Sequence, residues 1–181
     1  PLKKFYVFNL LGYLAINEED DYARGTKLWE QSLALARERG DNYNVGITLA
    51  NLGHPTLLQR DFKRAKALSE EALIFAHELG SAGVEIGPTA CINLGLASLG
   101  LGEHERAMRS FEEALVTSQD MGRTPNVIET LEGMASLAGA MGKATRAAHL
   151  WGAAEALLER IEATALANTS LGEPGVYGRM I

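Results

Sequence analysis

The chain repeats itself about every forty residues. Asp61-Phe62-Lys63-Arg64-Ala65 leads to Glu70-Glu71-Ala72-Leu73 and then Gly80. Glu103-His104-Glu105-Arg106-Ala107 leads in the same way to Glu112-Glu113-Ala114-Leu115 and then Gly122, 42 residues after Gly80. Gly40 stands 40 residues before Gly80, and Gly142-Lys143-Ala144-Thr145-Arg146-Ala147 repeats the segment from Gly102 at the same distance. A second element lies upstream in each unit: Leu10-Leu11-Gly12, Asn51-Leu52-Gly53, Asn93-Leu94-Gly95 and a degenerate Gly133-Met134-Ala135. A self-similar chain of this period is a stack of supersecondary units, because one unit cannot bury its own apolar face.

Each unit reads as two helices. Leu68, Ala72, Leu73, Phe75 and Ala76 recur at three- and four-residue spacing, the apolar stripe of a helix. Gly40, Gly80 and Gly122 fall just past helix ends, and Gly102 and Gly142 mark the turn inside a unit. Gly12, Gly53 and Gly95 fall inside helices, which costs roughly 1 kcal/mol each relative to Ala and points to close approach of helix backbones. The spacing predicts helices near 2–18, 21–39, 43–60, 62–79, 84–101, 104–121, 126–141 and 144–166, with a short one near 174–181. No segment alternates as a strand does. Pro55 predicts a kink in the third helix, since it lacks an N–H and crowds the carbonyl of Asn51.

The expected fold is all-α: a right-handed superhelical array of about four helix pairs, at 2–40, 43–80, 84–122 and 126–166, plus a C-terminal capping segment. Leu150, Trp151, Ala154, Leu157, Leu158 and Ile161 of the last helix are expected to cover the final open face. Residues 1–166 form this array, and 167–181 read as a loop and a short C-terminal helix. The chain starts at Pro1 and stops at Ile181 within what reads as a helix start, the pattern expected of a piece cut from a longer protein.

Composition removes several classes. With 46% apolar and 22% charged residues in 181, disorder is not the main description. The net charge of −6 disfavours a basic nucleic-acid surface over the whole domain, so no direct nucleic-acid contact is expected. Cys91 is the single cysteine, which excludes an internal disulfide and a multi-cysteine zinc site and fits a reducing, cytoplasmic compartment. No apolar run approaches the roughly 20 residues that span a bilayer, and no membrane partner is expected.

A Leu-Gly in the first helix, a Gly-Asp/Glu turn, then Ala and Glu-Ala-Leu in the second resembles the tetratricopeptide repeat. The period of 40–42 looks like its long-helix form, found in kinesin light chains and bacterial signalling proteins. Ser32-Leu33-Ala34-Leu35-Ala36-Arg37-Glu38-Arg39-Gly40-Asp41 is typical of the bacterial variety, and Leu150-Trp151-Gly152-Ala153-Ala154-Glu155-Ala156-Leu157-Leu158 looks like the end of the repeat region in LuxR-type and STAND-class regulators. The resemblance implies a non-enzymatic interaction and signal-sensing domain of a larger bacterial transcriptional regulator. Its concave groove would take a peptide, a protein partner or a small inducer. The alternative is a free-standing adaptor or scaffold with no attached switch or DNA-binding domain. Neither a P-loop nor a recognition helix is present here.

In that family, an Asn just before the Leu-Gly pair often bonds the backbone of a bound peptide, and a side-chain amide suits this because it offers both a donor and an acceptor. Asn51 and Asn93 match the position. Tyr13, His54, Thr89, Leu96 and Glu129 are the expected groove neighbours by helical spacing. Between 81 and 122, two basic residues, Arg106 and Arg109, stand against six acidic ones, so this stretch is expected to prefer a basic or neutral partner.

No catalytic, metal or cofactor site is expected. His54, His77, His104 and His149 lack a ligand spacing, and Cys91 lacks a base. The adjacent acids Glu70-Glu71 and Glu112-Glu113 diverge on a helix surface, whereas acid–base hydrolysis needs carboxylates that converge. Trp29 and Trp151 read as packing residues between repeats. The open ends of the array are expected to allow self-association.

Overall fold

The computed structural model describes residues 2–18 and 20–170. It is all-helical there, with α1 (Leu2–Asn17), α2 (Tyr22–Glu38), α3 (Asn42–Leu58), α4 (Phe62–Glu78), α5 (Gly87–Gly100), α6 (His104–Asp120), α7 (Thr124–Ala140) and α8 (Ala144–Ser170). Each helix packs on the next in chain order; in addition α3 packs on α5 and α5 on α7.

The turns follow one design. Every connection holds one residue at positive φ: Asp20, Gly40, Arg60, Gly80, Gly102, Gly122 and Gly142. The glycines take this conformation without a Cβ clash, whereas Arg60 and Asp20 adopt it at a cost of roughly 1 kcal/mol each. At Gly40, the Asp41 N–H donates to the Ala36 carbonyl at 3.0 Å and the Gly40 N–H to the Arg37 carbonyl at 3.1 Å, the paired closure of a Schellman turn. The same pair of bonds recurs at Arg60, Gly102, Gly122 and Gly142. The following residue then caps the next helix: Asp21, Asp41 and Asp61 accept from the N–H groups of Arg24, Asn44 and Arg64. Glu103, Arg123 and Lys143 hold the equivalent place without a side-chain cap.

Two expectations change. The fifth helix starts at Gly87 rather than 84, because a 3-10 turn at Gly80–Gly83 precedes it and Pro88 sits in its first turn, where a missing N–H costs nothing. The loop expected from 167 is helical as far as Ser170, and after Gly152 no Gly or Pro interrupts α8 before that point. The short helix expected near 174–181 lies outside the described residues. At Pro55, α3 runs on to Leu58 with the ring buried.

The largest core cluster gathers Phe5, Ile16, Trp29, Leu49, Leu52 and Ile86 among others from the first five helices. A second joins Ala107 and Phe111 of α6 to Met134 and Leu137 of α7. The second helices of neighbouring repeats are tied by ion pairs. The adjacent acids Glu71 and Glu70 reach in opposite directions, Glu71 back to Arg37 on α2 and Glu70 forward to Arg106 on α6. Arg64 likewise reaches back to Glu30, and Lys66 forward to Glu103. The acids do diverge, and each holds a different neighbour.

Candidate functional site

The interior glycines of the first helices are receiving notches. A Cβ on Gly12 would lie 2.6 Å from the Trp29 ring, and one on Gly95 would lie 2.4 Å from the Phe111 ring. Trp29 and Phe111 occupy the eighth position of α2 and α6. In α4 that position is Ser69, too small to fill a notch, and Gly53 is covered instead by the Asn93 amide from the next repeat, 2.5 Å from a Cβ built there. At Gly12 and Gly53 the same group also serves the carbonyl three residues before the glycine; the Phe111 ring over Gly95 has no donor to do so. Trp29 Nε1 donates to the Asn9 carbonyl at 3.1 Å, and Asn93 Nδ2 donates to the Ala50 carbonyl at 2.8 Å.

These contacts decide the fate of the expected site residues. Asn93 is 1% exposed and spends its amide donor inside the fold, so it is an inter-repeat tie and not a groove residue. Asn51 is half-buried on α3 and does not border the groove described next. Thr89 faces α7, where Asn126 Nδ2 reaches its Oγ1 at 3.5 Å. Tyr13 lies exposed on α1, away from the groove.

His54, Leu96 and Glu129 do come together. They border an open groove of about 460 Å³ that crosses α3, α5 and α7. To His54, α3 adds Leu57 and Leu58; to Leu96, α5 adds Leu99; to Glu129, α7 adds Glu132 and Ser136. Phe62 of α4, its ring against Gly100, and Trp151 of α8 complete the lining. The further lining residues of α3, α5 and α7 were within reach of the sequence, since each lies three, four or seven positions along the helix from His54, Leu96 or Glu129; Phe62 and Trp151 stand on other helices and were not. Trp151 departs more fully from expectation. It holds the same eighth position as Trp29 and Phe111, yet it is 48% exposed where Trp29 is 5% exposed. The place on α7 that aligns with Gly53 and Gly95 is Ala135, whose Cβ closes the notch, so Trp151 has no glycine to pack on and borders the groove.

The groove is apolar on two helices and acidic on the third. Burial, then the charge of Glu132, raises the Glu129 pKa from its ordinary value. Burial lowers that of His54. Among the described residues, no three of His, Cys, Asp and Glu converge as a metal site would require, and no helix is long and apolar enough to cross a membrane. Cys91 is buried and touches Glu113; burial, then that carboxylate, pushes its thiol up to about 12, which makes it a poor nucleophile.

No family model matches the chain, and no curated protein matches it. Among solved structures it is similar to BtubC (BKLC) from P. vanneervenii, with a TM-score of 0.66 at 20% identity. The likeness covers 87% of this chain and 64% of that one, so the chain spans less than two thirds of that protein. At this identity the likeness is one of fold, consistent with a helical repeat protein.

Proposed function

We propose that the protein is a non-enzymatic interaction module whose groove over α3, α5 and α7 takes a segment of a protein partner. The observation that carries this reading is the groove itself, open and mostly apolar, built from the corresponding helix of three successive repeats. Such a surface offers side chains at the pitch of the repeat, which suits an extended or helical peptide. The finer architecture proposed with it is a right-handed superhelical array of tetratricopeptide type. The regular turns, the notch glycines and the likeness in fold to a solved helical protein support it.

The wider proposal is that this module senses a peptide, partner or inducer within a cytoplasmic bacterial transcriptional regulator. Its support is the resemblance in repeat style and in the Leu150–Leu158 motif. Reading the coding sequence on both sides tests it: a nucleotide-hydrolysing switch domain and a helix-turn-helix would support the regulator, and their absence would leave an adaptor.

For the groove, the test is to pan a library of random dodecapeptides against the protein and against Ser136→Trp. Ser136 is exposed at the groove wall, so Trp there fills the groove without entering the core. Binders lost on that substitution support the proposal. Binders indifferent to it, or no binders at all, would sink it.

A further inference from the structure

The groove carries a charge that nothing in the fold answers. Glu129 and Glu132 are three residues apart on α7, hence on one face, and both border the groove. Neither forms an ion pair among the described residues, and no Lys or Arg is part of the lining. Arg60, at the edge of the same region, lies over the Phe62 ring, 5.7 Å from its centroid. Glu30, Glu70, Glu71 and Glu103, by contrast, each hold a basic residue from a neighbouring repeat. Two half-buried carboxylates without a counter-ion repel each other and lose hydration, a cost removed when a cation arrives. Trp151 stands beside them with its ring half in solvent, and an aromatic face attracts Arg and Lys.

We propose that the occupant of this groove is a peptide segment that presents Arg or Lys next to an aliphatic side chain. The aliphatic group rests on Leu57, Leu96 and Leu99; the cation sits between Glu129 and Glu132 alongside Trp151. An acidic segment is rejected, because its carboxylates would be desolvated against like charge. The inference rests on the groove being a peptide site, and it adds the chemistry that selects the peptide.

The same dodecapeptide panning separates the two ideas. Peptides that are retained by the protein and lost on Ser136→Trp are sequenced, and labelled copies are titrated by fluorescence polarisation. The expected result is enrichment of Arg or Lys within a few positions of Leu, Ile or Met. Affinity should fall roughly tenfold or more in Glu129→Gln/Glu132→Gln, a near-isosteric change. Glu132→Lys should shift the selected peptides toward Asp and Glu. Groove-dependent peptides with no cationic preference, or with affinity unchanged in the double Gln variant, would overturn this inference and leave the peptide site standing. If no peptide depends on the open groove, both fall.

Discussion

Asn93 Nδ2 donates to the carbonyl of Ala50 at 2.8 Å, across 43 residues of chain, with its amide lying over Gly53. One side chain therefore fills the notch in the preceding repeat and bonds its backbone. Asn93→Ala removes the bond and opens a gap at a site 1% exposed, and it should cost about 1–3 kcal/mol in a urea melt. Asn51→Ala, at the matching place one repeat earlier but half-buried, should stay within about 0.5 kcal/mol. Equal losses at the two positions would contradict this assignment. So would weaker binding of a groove-dependent peptide in Asn51→Ala, which would restore a binding role there.

The next junction solves the same packing problem with the sizes exchanged. Where Ser69 is small, Asn93 comes in from the following repeat; where Phe111 is large, the position aligned with Asn93 is Gly133. Phe111→Ser should cost about 3–5 kcal/mol by emptying a fully buried site. Gly133→Asn should destabilise through collision with the Phe111 ring, 2.5 Å from a Cβ built at 133. Combined, Phe111→Ser/Gly133→Asn recreates the Ser69–Asn93 arrangement, so the double variant should be more stable than the two losses added together. Strict additivity in thermal or chemical melts would show that the two junctions are not equivalent.

This exchange also explains what could be read from the sequence and what could not. Helix pairs and turn glycines are written locally, in periodicity and in residues that alone tolerate positive φ. The turns at Asp20 and Arg60 escaped that signal because non-glycine residues hold the same conformation there. The groove was legible at His54, Leu96 and Glu129, which follow from helical spacing. Asn93 looked like a groove residue because sequence gives its place on the helix but not the size of the residue facing it. Ser69 lies 24 positions upstream, and only contact shows that its smallness draws Asn93 inward. Trp151 has the place of a packing residue on its helix, but the notch position of that repeat is Ala135 and not glycine, and the ring stays half in solvent.

Cys91 should be silent to thiol reagents in the native protein. It is 2% exposed, and its pKa is pushed up to about 12, first by burial and then by Glu113, so almost no thiolate exists near pH 8. Ellman's reagent should react slowly with the native chain and rapidly once urea unfolds it, with the native rate set by opening of the fold. Glu113→Gln should leave the native rate slow, because burial is the larger cause. Fast native labelling would mean that α5 is open to solvent near Cys91.

Glu129 should make the protein less stable as pH rises from acid toward neutral. Its folded pKa is raised by burial and by Glu132, above the 4.5 of a free glutamate. Between the two values the folded state holds more protons than the unfolded one, so stability falls with rising pH. The favourable contribution is complete below the unfolded pKa and is lost as pH climbs through the folded one. The other ionisable group bordering the groove is His54, whose lowered pKa keeps the ring neutral at pH 7 and unable to offset the carboxylates. Glu129→Gln removes the titration while keeping shape. The variant should match the parent at low pH and exceed it in melting temperature at pH 7. A groove peptide carrying Arg should narrow that gap in the parent protein, because the cation favours the ionised carboxylate. A variant less stable than the parent at pH 7 would mean that Glu129 already has a stabilising partner in the fold, and the unanswered charge in the groove would not exist.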